Sequence, residues 1–186
     1  MAEGARPVTE GRGQSAPGVR ASDRNIVLIG MPGAGKSTVG VLLAKITGRS
    51  FLDTDVCIQA AESRSLQNII DREGLDAFRA IEERHVLGLR CFRHVLATGG
   101  SVVYSDAAMR HLREGGVVVY LDLPVARIRE RLRNLSARGV VMMPGQSLDA
   151  LYAERAPLYH QYADVVLACE GLNHEAVAER ILQAIG

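Results

Sequence analysis

Gly30-Met31-Pro32-Gly33-Ala34-Gly35-Lys36-Ser37 spaces two glycines around four residues and follows the second with Lys and Ser, the pattern of a phosphate-binding loop. Its flanks are of the required kind. Ile26-Val27-Leu28-Ile29, immediately before it, is a short apolar run rich in β-branched residues that predicts a buried strand. Immediately after it, Val39, Leu42, Leu43 and Ile46 recur at helical spacing. A strand, a glycine-rich turn and a helix let backbone N–H groups close around anionic oxygens with no Cβ in the way, and the positive end of the helix points at the same place. Gly33, Ala34, Gly35, Lys36, Ser37 and Thr38 are therefore the expected nucleotide-phosphate cradle. Lys36 is expected to reach the β- and γ-phosphates, and Ser37 to hold Mg2+.

Composition narrows the chemistry this loop serves. The chain has 186 residues, 47% of them apolar, enough for one domain with a substantial core and too few for the motor domains of helicases or transporters. Its 22 Lys and Arg nearly balance its 21 Asp and Glu, leaving a formal net charge of +1. That balance gives no electrostatic footprint for nucleic acid or a membrane surface, and a small-molecule substrate is favoured. No apolar run approaches the ~18 residues of a membrane span and no apolar secretory core opens the chain, so a cytoplasmic protein is expected, acting as a monomer. Cys57, Cys91 and Cys169 are odd in number, far apart and without metal-ligand spacing, which predicts reduced thiols in or near the core. The five histidines are equally scattered.

Residues 1 to 24 are rich in Gly, Pro, Ser, Ala and Arg and lack apolar periodicity. Such a segment cannot bury enough surface to offset its ordering entropy, so a disordered tail is expected there and one folded domain over 25 to 186. Within the domain, Val95-Leu96-Ala97-Thr98, Val117-Val118-Val119-Tyr120-Leu121 and Val165-Val166-Leu167 predict strands. Helices are predicted around Ser105 to Arg113, Val125 to Arg133, Leu148 to Tyr162 and Glu175 to Ile185. Alternation of this kind implies an α/β protein whose parallel sheet carries helices on both faces. Two segments interrupt it. From Phe51 to Arg90 a very short strand, Phe51-Leu52, leads into Asp53-Thr54-Asp55 and about three helices with no strand among them. This insertion, about 54 to 92, is the expected carrier of a second substrate. Arg133 to Ser147 contains Asn134, Ser136, Gly139, Pro144 and Gly145 between two helices, and a loop of that length is expected to be a lid over the nucleotide.

Phe51-Leu52-Asp53-Thr54-Asp55, Phe78-Arg79-Ala80-Ile81-Glu82, Thr98-Gly99-Gly100 and Glu154-Arg155-Ala156-Pro157-Leu158-Tyr159 follow the loop in the order and spacing of the shikimate kinase family. The chain resembles that family over nearly all of its length after the tail. The resemblance implies a nucleoside-monophosphate-kinase-like fold, a three-layer αβα P-loop kinase with a five-stranded parallel sheet in the order 2-3-1-4-5. It implies ATP and shikimate as substrates, Mg2+ as cofactor, and transfer of the γ-phosphate to the 3-hydroxyl of shikimate, giving shikimate 3-phosphate and ADP. That reaction is a step of aromatic amino-acid biosynthesis.

A hydroxyl acceptor needs a carboxylate to orient it and take its proton, and Asp55 matches the family position that contacts the acceptor hydroxyl. Asp53, two residues earlier on an extended segment, is expected to share its face, and matches the position that holds Mg2+. One of the two Asp residues would alternatively cap the helix starting near Val56. A carboxylate on the acceptor calls for arginine, whose guanidinium binds it bidentately. Arg79 and Arg155 occupy the two family positions that grip the shikimate carboxylate. Arg79 borders an apolar stripe of Leu75, Phe78, Ile81 and Leu89, and its alternative is a surface ion pair with Glu82 or Glu83. Gly99 and Gly100 end a strand where ligands bind in open α/β sheets, and would let substrate approach the backbone.

In the resemblance, Arg138 of the lid is the arginine that swings onto the transferring phosphate, Arg131 the one lying on the adenine ring, and Asn173 falls in the adenine loop. The alternative for Arg127, Arg129, Arg131 and Arg133 with Glu130 is an ordinary solvated helix face. Lys36, Asp55 and Arg138 are thus the expected catalytic groups. The chain departs from the family pattern at Ser101, where a third glycine is usual, at Gln59, where Glu is common, and at Gly139-Val140-Val141, where Pro usually follows the lid arginine. These departures keep open a sister kinase acting on homoserine or gluconate, and a catalytically silent nucleotide-binding module. Retention of the acceptor-side groups argues against the silent module.

Overall fold

The computed structural model describes residues 24–133 and 145–186. β1 (Asn25–Ile29) is the middle strand of an all-parallel five-stranded sheet ordered β2-β3-β1-β4-β5, the order implied by the family resemblance. β3 (His94–Ala97) and β4 (Gly116–Asp122) flank it, so that Ile26 faces Val95 on one side and Val117 on the other. β2 (Ser50–Asp53) and β5 (Val165–Ala168) form the edges. All five residues of β1 are buried, which is why Ile26 to Ile29 read as an unbroken apolar run and not as an alternating one.

Among the described residues, seven α-helices accompany these strands. α1 (Lys36–Thr47) and α7 (His174–Ile185) pack on each other. α4 (Asp106–Gly115) and α6 (Leu148–Tyr162) lie against β4, with α5 (Val125–Arg133) beside α6. The insertion after β2 consists of α2 (Thr54–Glu62) and α3 (Leu66–Leu87), and α3 packs on α4. α3 is broken at Gly74 (φ 86°, ψ 170°), so the segment holds three helical pieces, as its sequence suggests. Ile58, Leu66, Ile69, Phe78 and Ile81 bury a small apolar cluster of their own, distinct from the main core beneath the sheet. Leu89, which the sequence puts on the same stripe as Phe78, lies beyond the end of α3 and joins the main core instead.

Composition assigns Arg24 to the tail, yet its guanidinium donates to the carbonyls of Arg113 (3.0 Å) and Gly116 (2.7 Å), and its own carbonyl accepts from Arg49 Nη1 (2.5 Å). The ordered chain therefore includes it. The rest of the expected tail, most of the expected lid, and Arg138 lie outside the described residues. A 3-10 turn at Val102–Tyr104, just before α4, is an element the sequence did not announce.

The small cluster between α2 and α3 has few members with which to compensate a loss. Phe78→Ala is expected to lower stability by about 3–5 kcal/mol, read as a shift of the urea unfolding midpoint without a change of slope.

Candidate active site

The phosphate loop leaves β1 at Gly30, whose φ of 141° is a glycine conformation, and a Cβ there would come within 2.9 Å of the Leu121 carbonyl of β4. The loop ends at Gly35 (φ 101°), the residue before α1. No side chain caps α1 and no acidic residue occupies its first turn. Its first amide groups and the positive end of its dipole are thus left for an anion. The Lys36 ammonium donates to the carbonyls of Gly30 (2.8 Å) and Met31 (3.0 Å). Burial pulls its pKa down to about 8, against the nearby Asp55 and Asp53 charges, which raise it.

Ser37 donates its hydroxyl to Asp53 Oδ2 at 2.6 Å, so the two residues expected at the metal stand together. Strand alternation is not what brings Asp53 and Asp55 together. Asp53 ends β2, whereas Asp55 already lies in the first turn of α2. Asp53 is the cap of that helix, its Oδ1 accepting from the amides of Asp55 (3.0 Å) and Val56 (3.4 Å). The capping alternative is therefore correct for Asp53, and its second oxygen remains on Ser37. Asp55 is half-buried. Desolvation pushes its carboxyl up to about 6, with Asp53 adding to the rise and Lys36 opposing it.

β3 runs into Thr98, whose amide and hydroxyl both donate to the Leu28 carbonyl, at 3.2 and 3.1 Å. Gly99 follows, its amide donating to Thr54 Oγ1 at 3.0 Å. A Cβ on Gly99 would sit 2.2 Å from Glu82 Oε1 and 2.7 Å from Asp55 Oδ1, so two carboxyl groups face each other across this residue. The Gly100 carbonyl accepts from the buried Tyr159 hydroxyl at 2.7 Å. Ser101 has φ −93° and ψ −9°, ordinary right-handed backbone, so no glycine is needed there. Its hydroxyl donates to Glu82 Oε2 at 2.6 Å. The changed residue thus turns its hydroxyl to Glu82 and leaves the strand-end backbone unperturbed.

Glu82 is 2% exposed, and among the described residues its Oε1 has no hydrogen-bond donor. Burial raises its pKa to about 7 although the Ser101 hydrogen bond and the charges of Arg155 and Arg79 pull the other way. Arg155 is 1% exposed. It comes from α6 to the same place as Arg79 of α3, and both guanidinium groups lie near the Tyr104 ring, at 4.2 Å for Arg79 and 5.2 Å for Arg155. Among the described residues, the ion pair with Glu82 or Glu83 that was the alternative for Arg79 does not form. Glu82 and Glu83 accept from Ser101 and Ser105, and among the carboxylates of the described residues Arg79 pairs with the exposed Asp76, at 3.7 Å. A cavity of about 300 Å³ opens beside Arg79, Glu82, Ser101 and Tyr104.

Arg131 turns inward, donating to the Gly33 (3.3 Å) and Ala34 (3.2 Å) carbonyls of the loop. With Asn173 it lines a cavity of about 420 Å³ next to the loop. Asn173 also caps α7, accepting from the Ala176 amide at 2.8 Å. Arg127 and Arg129 pair with Glu130 and Asp149 on the surface, as an ordinary helix face would. Glu82, Tyr104, Thr54 and Tyr159 are site residues that sequence reasoning did not single out. Glu82, Thr54 and Tyr159 lie inside the family motifs, which is a usable signal. Tyr104 had none.

Every group gathered here stands at the carboxyl end of a strand or on a helix leaning over it. A family model described as shikimate kinase matches residues 32–186. The chain belongs to the shikimate kinase family. It is 39% identical over 163 residues to the shikimate kinase of Thermodesulfovibrio yellowstonii, covering 86% of this chain and 94% of that protein. It is 42% identical over 164 residues to the shikimate kinase of Halorhodospira halophila, covering 86% and 92%. Among solved structures, the shikimate kinase of Acinetobacter baumannii in complex with shikimate superposes with a TM-score of 0.81 at 34% identity, covering 87% of this chain and 92% of that one. Among the described residues no helix is long and apolar enough to cross a membrane.

The buried Glu82 makes stability depend on pH. A carboxyl with a higher pKa in the folded chain binds its proton more tightly there, so its contribution is complete below the unfolded value near 4.5 and is lost as pH rises through about 7. Glu82→Gln is expected to remove about 3 kcal/mol of that decline. Urea midpoints at pH 5 and pH 8 check it, the difference between them shrinking in the variant.

Proposed function

We propose that this site transfers the γ-phosphoryl group of ATP to the 3-hydroxyl of shikimate, with the residues in the following roles. Amides of Gly33 to Thr38 and the Lys36 ammonium bind the β- and γ-phosphates, supported by the uncapped end of α1 and by the short reach of Lys36 to the loop itself. Arg131 and Asn173 border the adenine, supported by the cavity they line beside the loop. Arg138 belongs to the same reading as the lid arginine that neutralises the transferring phosphate.

Among the described residues no three His, Cys, Asp or Glu side chains form a metal cage. Mg2+ is suited to one or two hard oxygen ligands completed by phosphate and water, and the Ser37 hydroxyl beside Asp53 Oδ2 is such a pair. Bound there, the ion would neutralise charge on the phosphates. On the acceptor side, Arg79 and Arg155 take the carboxylate, and Gly99 and Gly100 let the ring lie against backbone. Asp55 orients the 3-hydroxyl and accepts its proton as the oxygen bonds to phosphorus and the β–γ bridging oxygen leaves with ADP. A base whose pKa stands at about 6 is ionised at neutral pH and still basic enough to be useful. A monomeric, cytoplasmic enzyme belongs to the same reading.

The observation that carries this reading is the convergence of Asp55, Arg79, Arg155 and the two-glycine strand end on one side of the phosphate loop. A sister kinase loses one of its two motives, because Ser101 keeps ordinary backbone and directs its hydroxyl to Glu82; the other, the altered lid, lies outside the described residues. ADP release measured with shikimate, homoserine and gluconate is expected to show a clear preference for shikimate, and its absence would overturn the substrate assignment. Asp55→Asn is expected to reduce turnover by about 10² to 10⁴ while leaving ATP affinity intact. In the unsubstituted protein kcat/KM for the acceptor should fall as pH drops below about 6, where Asp55 takes up its proton. Asp53→Asn, in contrast, should raise the Mg2+ requirement and be partly rescued by excess metal.

A further inference from the structure

α3 carries Arg79 and Glu82 three residues apart, the spacing at which a cation and a carboxylate on one helix face ordinarily meet. Here they do not pair. The buried Glu82 turns Oε2 to the Ser101 hydroxyl at 2.6 Å, and among the described residues its Oε1 has no donor. Arg79 Nε, buried as well, has no acceptor among them, and the one carboxylate paired with Arg79 is the fully exposed Asp76 at 3.7 Å. A buried donor and a buried acceptor thus stand apart on one helix, beside the cavity that Arg79, Glu82, Ser101 and Tyr104 line.

Leaving both groups unpaired is costly, so something must hold Glu82 away. Ser101 is placed to do so. It is buried, it keeps right-handed backbone one residue past the two-glycine strand end, and its hydroxyl is the donor that Glu82 has. A buried carboxylate deprived of that donor would turn to a cation, and Arg79 is the one that helical spacing offers it. We propose that Ser101 is a positioning residue for the acceptor: by holding Glu82 it keeps that carboxylate off Arg79, which retains its charge and its buried donor for the substrate carboxylate. The glycine usual in the family at this place has no hydroxyl for the task, so the device belongs to this chain. The inference rests on the reading that Arg79 grips the substrate carboxylate.

The test places Ser101→Ala in the unsubstituted protein, in Arg79→Ala and in Glu82→Gln. Assays at pH 8 keep Glu82 ionised, its pKa standing at about 7. Ser101→Ala alone is expected to raise KM for shikimate about tenfold, the loss of one charge-assisted contact. kcat and KM for ATP should stay within about twofold. Added to Arg79→Ala, where there is no arginine to divert, or to Glu82→Gln, where no carboxylate diverts it, the same substitution should change KM for shikimate by less than about twofold. Ser101→Gly carries the same three comparisons if the alanine variant does not fold. An unchanged shikimate KM in the single Ser101 variant, while Arg79→Ala raises it, overturns the positioning role and leaves the grip standing. A loss that persists without Arg79 but vanishes in Glu82→Gln means that Glu82 acts on the acceptor by itself, and a loss that persists in both backgrounds is a packing effect; either result overturns the proposal. Unchanged shikimate KM in Arg79→Ala overturns the grip itself, and this proposal with it.

Discussion

The uncapped amino end of α1, held at the carboxyl end of a fully buried strand, is the constraint around which this molecule is arranged. A helix terminus leaves several amide donors without partners, and most helices satisfy them with a polar cap. α1 instead begins on glycine and carries no acid in its first turn, so the requirement passes to whatever anion enters the loop. The central position of β1 keeps that requirement in place. Neighbours on both sides fix its register, and the close approach of Gly30 to the Leu121 carbonyl fixes where the loop departs.

Around this positive end the chain buries more charge than its own pairs neutralise comfortably. Lys36 loses basicity through burial, while Asp55 and Glu82 lose acidity for the same reason, although opposite charges stand close to each. Buried ions are costly unless paired and hydrogen-bonded. The loop carbonyls that hold Lys36, the Ser101 hydroxyl on Glu82 and the helix-capping bonds of Asp53 meet part of that need. Among the described residues Glu82 Oε1 and Arg79 Nε remain without a hydrogen-bond partner. A hydroxyl donor would satisfy the first and a carboxylate the second.

Sequence patterns served best where a local rule governs. The buried run Ile26 to Ile29 and the glycine loop after it have a fixed local meaning, and the helices of Val125 to Arg133 and Leu148 to Tyr162 follow from periodicity with the observed limits. The three helical pieces of the insertion were legible for the same reason. Leu89 was misassigned because helical spacing continues on paper past the point where the backbone stops obeying it. Asp53 and Asp55 were rightly joined by a wrong geometry, since alternation holds only while the chain stays extended and α2 starts between them.

By itself the sequence determined the strand–loop–helix unit, the alternating α/β layering, and, through ordered motifs, membership of one kinase family. These depend on neighbours within a few residues, or on spacing that the chain carries wherever it folds. Tertiary structure alone decided that Ser101 spends its hydroxyl on Glu82, that Asp53 serves both cap and loop, and that Tyr104 gathers two arginines. Apart from the local capping bond, each of these joins residues that the chain separates by between 16 and 51 positions. The physical reason is that a hydroxyl, a carboxylate or a ring face has no preferred partner in one dimension, and acquires one only when packing sets which donors and acceptors are denied water together.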